Sequence, residues 1–238
     1  MNKPKHTYPA FEDLLRRVHD DRTNSWSEIA HAFLRIVEQF DREYGEGKRS
    51  TGWYQSKARY FNDLIVQLLS NQSSKEIAKR RKKDSKLFGR LDVDICYPGK
   101  GDPTIAGEVK ALGTPPHPRN NHLARRGSAD LHKRIREVAF TSLDIKVAYA
   151  PATPIKSFQA WIDTVPPGYF AFWAIRSSDA TDFEKLRVML SGLRRYCNGV
   201  GAIIYEPTSA STPFTYEDRT PQDLLIDHWL QEIAQRIA

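Results

Sequence analysis

An α/β fold, a mixed sheet flanked by helices, is predicted by three features of the sequence. The apolar period changes from helical to alternating near residue 87. Two alternating segments joined by PGKGD then form an antiparallel hairpin. Further on, a strand–helix–strand order implies a parallel crossover. Helices before and after these elements are additions to the core.

In chain order, residues 8–20 and 26–44 read as helices. Ser25 or Ser27 can cap the second, whose apolar stripe is Ile29, Phe33, Ile36, Val37 and Phe40. GEGKRSTG is a loop. Residues 54–69 form a third helix, with Phe61, Leu64, Ile65, Leu68 and Leu69 on one face, and Asn71 with the Ser-rich turn after it ends it. In 87–98, Leu91, Val93 and Ile95 alternate with Asp92, Asp94 and Cys96. In 104–113, Ile105 and Val109 lie opposite Glu108 and Lys110. A helix follows over 128–142, with Ser128 as a cap. Apolar strands at 169–176 and 200–206 enclose a helix over 181–196, capped by Thr181 or Asp182. The last helix starts with Thr220 capping and Pro221 in its first turn. Residues 1–50 are expected to pack as a helical segment on a core of 51–238, giving one domain overall.

Two cysteines, Cys96 and Cys197, exclude a disulfide scaffold and a four-thiolate zinc site. No stretch approaches a membrane span, and the first residues lack an apolar signal core, so a cytoplasmic protein is expected. The net charge of +7 is unevenly placed. Residues 51–150 hold nineteen basic and ten acidic side chains, whereas the first fifty residues balance at nine each. Two runs carry the excess, 75–90 and 119–136. Lys and Arg at that density suit a polyanion, because phosphate neutralisation is the main sequence-independent source of nucleic-acid affinity.

The hairpin between those runs carries the chemistry. Folding it about Gly99–Gly101 brings Asp94 opposite residue 107, give or take one, so Asp94, Glu108 and Lys110 converge. Two carboxylates suit Mg²⁺, which keeps several waters and takes only one or two protein carboxylates beside a substrate phosphate. An ammonium beside them can serve a water or steady charge on phosphorus. Asp92 shares the predicted face of Asp94 and is the alternative first ligand.

Asp94 followed fourteen positions on by Glu108-Val109-Lys110 resembles the motif of the PD-(D/E)xK nuclease superfamily, the restriction-endonuclease-like proteins. That resemblance implies an α-β-β-β-α-β core: the helix 54–69, a strand within 76–84, the hairpin 88–111, the helix 128–142 and the strand 170–176. It implies a metal-dependent DNA endonuclease, of type II restriction, repair or anti-phage role. Asp94 and Glu108 would hold Mg²⁺, or Mn²⁺ in its place, and Lys110 would serve the nucleophilic water. No proline precedes either Asp, and the first core helix offers no Glu; Asn62 flanks its apolar face, while Asp63 points away to solvent. On this reading Lys79, Arg80, Arg81, Lys82, Lys83, Arg119, Arg125, Arg126 and Lys133 are candidates for phosphate contacts in double-stranded DNA. Asn120, Asn121 and His122 are candidate groove readers. Palindromic cutting favours a homodimer, and the last helix, with Leu225, Trp229 and Ile233, either forms its interface or closes the core.

Other motifs have plainer readings. PGKGD lacks phosphate-loop spacing and precedes a strand, so it is a hairpin turn. His117, His122 and His132 have no accompanying cysteine pair or HExxH. Trp53 and Tyr54, beside Lys57 and Arg59, suit core packing better than base stacking. Two further classes stay open: a non-catalytic nucleic-acid-binding protein that keeps only the basic channel, and an adaptor whose basic runs meet a protein.

Overall fold

The structure is a computed structural model and describes residues 7–117, 124–150 and 157–238. The N-terminal helices are α1 (Pro9–Asp20), α2 (Trp26–Gly45), the short α3 (Thr51–Tyr54) and α4 (Ser56–Ser73). Strands β1 (Ala78–Ser85), β2 (Gly89–Tyr97) and β3 (Ile105–Leu112) follow, then α5 (Ser128–Ala148) and α6 (Phe158–Thr164). The chain continues through β4 (Gly168–Arg176), α7 (Ala180–Leu193), β5 (Gly199–Ser209) and β6 (Thr212–Asp218), and ends in α8 (Ile226–Ile237). The six strands lie side by side in chain order in one mixed, open sheet. Pairing is antiparallel from β1 to β3, parallel from β3 through β5, and antiparallel between β5 and β6.

Each face of the sheet has its own core. Helices α1, α2, α4 and α8 bury their apolar stripes against Ile105, Val109, Phe170, Phe172 and Ile203. Helices α5 and α7 cover the other face, against Ala106, Tyr169, Ala171, Trp173 and Ile204. The strands β3–β5, covered on both sides, are near-continuous apolar runs for that reason. Residues 1–50 do pack on the core: Phe11, Phe33 and Phe40 are wholly or almost wholly buried in the same cluster as sheet residues.

Several boundaries differ from expectation, each for a local reason. Helix α4 runs on past Asn71 to Ser73 and stops where Ser74 turns left-handed, at φ 52°. Helix α7 is capped by Asp179, whose carboxylate accepts the Asp182 N–H at 2.9 Å. Asp182 is buried and instead accepts the N–H groups of Gly127 (3.0 Å) and Ser128 (3.1 Å), so it, not Ser128, caps α5. Thr220 caps nothing; its hydroxyl oxygen accepts the Ile204 N–H at 2.9 Å, and a 3-10 turn at Gln222–Leu224 precedes α8. Trp229 and Ile233 are buried in the chain's own core, so α8 closes the core rather than presenting a dimer face. The short α3 and α6, and the edge strand β6, carry too little periodic pattern to be legible.

On α5, Lys146 is fully buried and donates to the carbonyls of Val165 and Pro167, each at 2.7 Å. Burial pushes its ammonium down to about 8. An unfolded lysine keeps its proton to about pH 10.4, so the unfolded chain binds more protons between those values and stability from this residue rises with pH. Comparing unfolding free energies in urea at pH 7.5 and pH 10, the wild type should gain on Lys146→Met by about 2 kcal/mol. A constant difference between the two proteins would mean that Lys146 titrates normally.

Candidate active site

The site forms where β2 parts from β3. The ladder between them pairs Tyr97 with Ile105, Cys96 with Ala106 and Ile95 with Gly107. One residue further, Asp94 inserts its carboxylate between the strands and Oδ2 accepts the Val109 N–H at 3.0 Å. A side chain thus replaces a backbone partner, and β2 turns away. The expected alternation along β2 breaks at this point. Val93 packs on the α5–α7 side together with Cys96, while Ile95 packs on the opposite side. Asp92 and Asp94 consequently do not share an environment: Asp94 is half-buried, whereas Asp92 is exposed opposite Lys82 on the outer strand.

On the other side of the split, β1 is distorted too. Lys79 pairs with Ile95 and Arg81 with Val93, but Arg80, level with Asp94, is skipped and adopts φ 54°. Positive φ in an arginine is uncommon and marks a place where surroundings over-determine the backbone.

Glu108 and Lys110 project from β3 toward the α5–α7 face, as their spacing of two requires. Glu108 is buried, accepts a hydrogen bond from the Tyr169 hydroxyl at 3.1 Å through Oε1, and pairs with the Lys110 ammonium through Oε2. Lys110 keeps a quarter of its side chain in solvent. Asp94 lies within electrostatic reach of Glu108, Lys110 and Arg80. Burial raises its pKa above the ordinary carboxylate range. The Val109 N–H and Lys110 oppose that rise, and Glu108 adds to it. The three side chains read from the sequence do converge.

The donor set fits a small hard cation. Two carboxylates from adjacent strands lie within electrostatic reach of each other, and Asp94 uses only Oδ2 for the protein's own hydrogen bond. Among the described residues no group of three or more His, Cys, Asp or Glu gathers elsewhere or here. A cation at this place would therefore keep most of its shell as water or substrate oxygen, the usual state of Mg²⁺. Tyr169 was not legible as a site residue. It reaches Glu108 through the parallel pairing of β3 with β4, across 61 positions of sequence.

The basic residues divide. Lys79, Arg80, Arg81 and Lys82 are exposed on β1, an edge strand; Lys79 also pairs at 2.5 Å with Asp63, which is not solvated as expected. Arg81 and Lys79 line a groove of about 570 Å³ together with Arg22 and Lys75. Lys83 is not a phosphate contact: it is buried and donates to the Gly101 carbonyl at 2.7 Å, tying β1 to the β2–β3 turn. Arg125 pairs with Asp130 at 2.6 Å, and Arg126 lies 3.5 Å from Asp179; both remain more than half exposed, and Lys133 is exposed on α5. Arg119, Asn120, Asn121 and His122 lie outside the described residues. Asn62 is buried on α4, on the sheet face away from Glu108. Trp53, Tyr54 and both cysteines are buried, and His117 packs against Tyr44.

No protein-family model, curated protein or solved structure matches the chain. No described helix is long and apolar enough to cross a membrane.

Proposed function

We propose that this protein is a Mg²⁺-dependent deoxyribonuclease with a restriction-endonuclease-like core. It would cut double-stranded DNA in the cytoplasm, in the manner of a type II restriction endonuclease and with Mn²⁺ able to substitute. The observation that carries the reading is the proximity of Asp94, Glu108 and Lys110 at the β2–β3 split. The order α4-β1-β2-β3-α5-β4, interrupted only by the short α6, agrees with it. So does the row of cations on the neighbouring edge strand. A homodimer would suit palindromic cutting, through a surface other than α8.

Asp94 and Glu108 would hold the cation, with Tyr169 fixing the Glu108 carboxylate. A bound Mg²⁺ supplies neutralisation of the scissile phosphate. Lys110 stands beside Glu108 with its Nζ partly in solvent, where as the neutral amine it would take a proton from an attacking water, or as the ammonium would hold the charge that grows on phosphorus.

Supercoiled plasmid with Mg²⁺ tests the reading. Discrete fragments that vanish with EDTA are expected. Binding with a steep salt slope and no cutting would make this a non-catalytic DNA-binding protein, and neither result would leave the adaptor. Lys110→Ala should lose at least about 10²-fold in rate at saturating metal. Lys110→Arg separates the two lysine roles, because a guanidinium keeps the charge but cannot accept a proton from water. Rescue by arginine favours the charge clamp. A Lys110→Ala enzyme at wild-type rate would remove Lys110 from the mechanism.

A further inference from the structure

The turn between β1 and β2 holds two large apolar side chains in solvent. Leu87 is 66% exposed and Phe88 65%, the two most exposed large apolar side chains among the described residues, and they are adjacent. Phe140 of α5, also exposed, meets Phe88 edge-on with ring centroids 5.7 Å apart, so the three make one small patch.

The turn itself is built. The buried Asp144 carboxylate accepts the N–H of Lys86 at 2.9 Å and of Leu87 at 3.3 Å. The buried Ser85 hydroxyl, itself bonded to Asp144, accepts the N–H of Leu87 at 3.2 Å and of Phe88 at 2.9 Å. Gly89 closes it at φ 73°, a conformation that side chains rarely adopt. A turn whose amides are all satisfied by buried groups presents its side chains in a fixed place, so Leu87 and Phe88 lose little freedom on contact.

Charge identifies the occupant. Lys82, Lys86 and Arg90 are exposed around the tip, Arg136 stands one helical turn before Phe140, and Arg80 and Arg81 continue the row along β1. Asp84 and Asp92 are the only exposed acids of the hairpin and leave it strongly positive. An apolar point inside a cationic frame fits a nucleic-acid duplex: cations meet phosphates while the apolar pair enters the groove between base steps.

We propose that the β1–β2 tip is a wedge for double-stranded DNA, with Leu87 and Phe88 entering a groove and loosening one base step. This rests on the nuclease reading for its placement. Phe88 lies six strand residues from Asp94, about 20 Å, so the loosened step would fall about six base steps from the phosphate at the site.

The test uses the full chain, as Glu108→Ala to prevent cutting, and a 30-base-pair duplex carrying 2-aminopurine at staggered positions. Anisotropy reads affinity, and 2-aminopurine emission reads unstacking. Adding Leu87→Ser and Phe88→Ser should weaken binding about tenfold and abolish the emission rise without changing the salt slope. Phe88→Trp, which keeps a flat apolar ring, should retain both. Unchanged affinity and emission in the double-serine protein would overturn the wedge, even if the wild type cuts plasmid. A wild type with the wedge signature that never cuts would uphold the wedge and sink the nuclease reading. If the serine substitutions instead turn a dimer into a monomer with DNA affinity intact, the patch joins two copies of the chain and the wedge is wrong.

Discussion

Asp94→Ala and Glu108→Ala are each expected to abolish DNA cleavage, by at least about 10²-fold, while DNA binding stays near wild type or tightens. On the proposed reading each substitution would remove half of the cation's protein ligands and also one negative charge facing the phosphates. Loss of metal and gain of affinity therefore go together, which a folding defect would not produce. A thermal readout isolates the metal. If the proposed site holds Mg²⁺, the ion should raise the melting temperature of the wild type, since it would bind the folded state alone, and leave both variants unmoved. Asp92→Ala should cut normally, since Asp92 is exposed across from Lys82 and β2 turns it away from Asp94. A dead Asp92→Ala with a working Asp94→Ala would place the first ligand on the outer part of β2. Normal cutting by both Asp94→Ala and Glu108→Ala would move the chemistry elsewhere in the chain.

What the sequence made legible follows from period and range. Alternation in 104–112 placed Glu108 and Lys110 on one face, because that strand keeps its pleat along an unbroken parallel pairing with β4. The same logic failed on β2. There Asp94 bonds the Val109 amide and bends the strand, a tertiary event that no pattern of apolar residues announces. The basic run 79–83 was legible as charge but not as geometry: its first four members are exposed, while Lys83 turns inward to the Gly101 carbonyl. Tyr169 needed the β3–β4 register, which joins segments far apart in sequence. Lys57 did leave a local signal. It sits four residues before Phe61 on the apolar face of α4, where a solvated lysine would not be placed.

That lysine is the centre of the second large effect expected here. Asp41→Ala should destabilise the fold by about 3–5 kcal/mol, the usual consequence of stripping one partner from a buried ion pair. Lys57 is 2% exposed and Asp41 fully buried, with Nζ 3.1 Å from Oδ1. The ammonium also donates to the Tyr54 and Tyr205 hydroxyls, and Asp41 accepts from Tyr216 at 2.8 Å. Burial lowers the Lys57 pKa, and Asp41 is what holds it up. Without Asp41 the buried cation keeps only phenol oxygens, and the Tyr216 hydroxyl loses its acceptor. In a chain of this size that corresponds to a fall in melting temperature of roughly 10 °C. Asp41→Ala combined with Lys57→Met should be less damaging than the two single losses added together, because no unpaired charge is left. The pair joins α2 and α4 to β5 and β6, on the sheet face away from Glu108. Per folded molecule, cleavage by the Asp41 variant at 20 °C should therefore match the wild type. A rate that drops while the melting temperature holds would mean that this buried lysine serves the chemistry and not the attachment of the N-terminal helices.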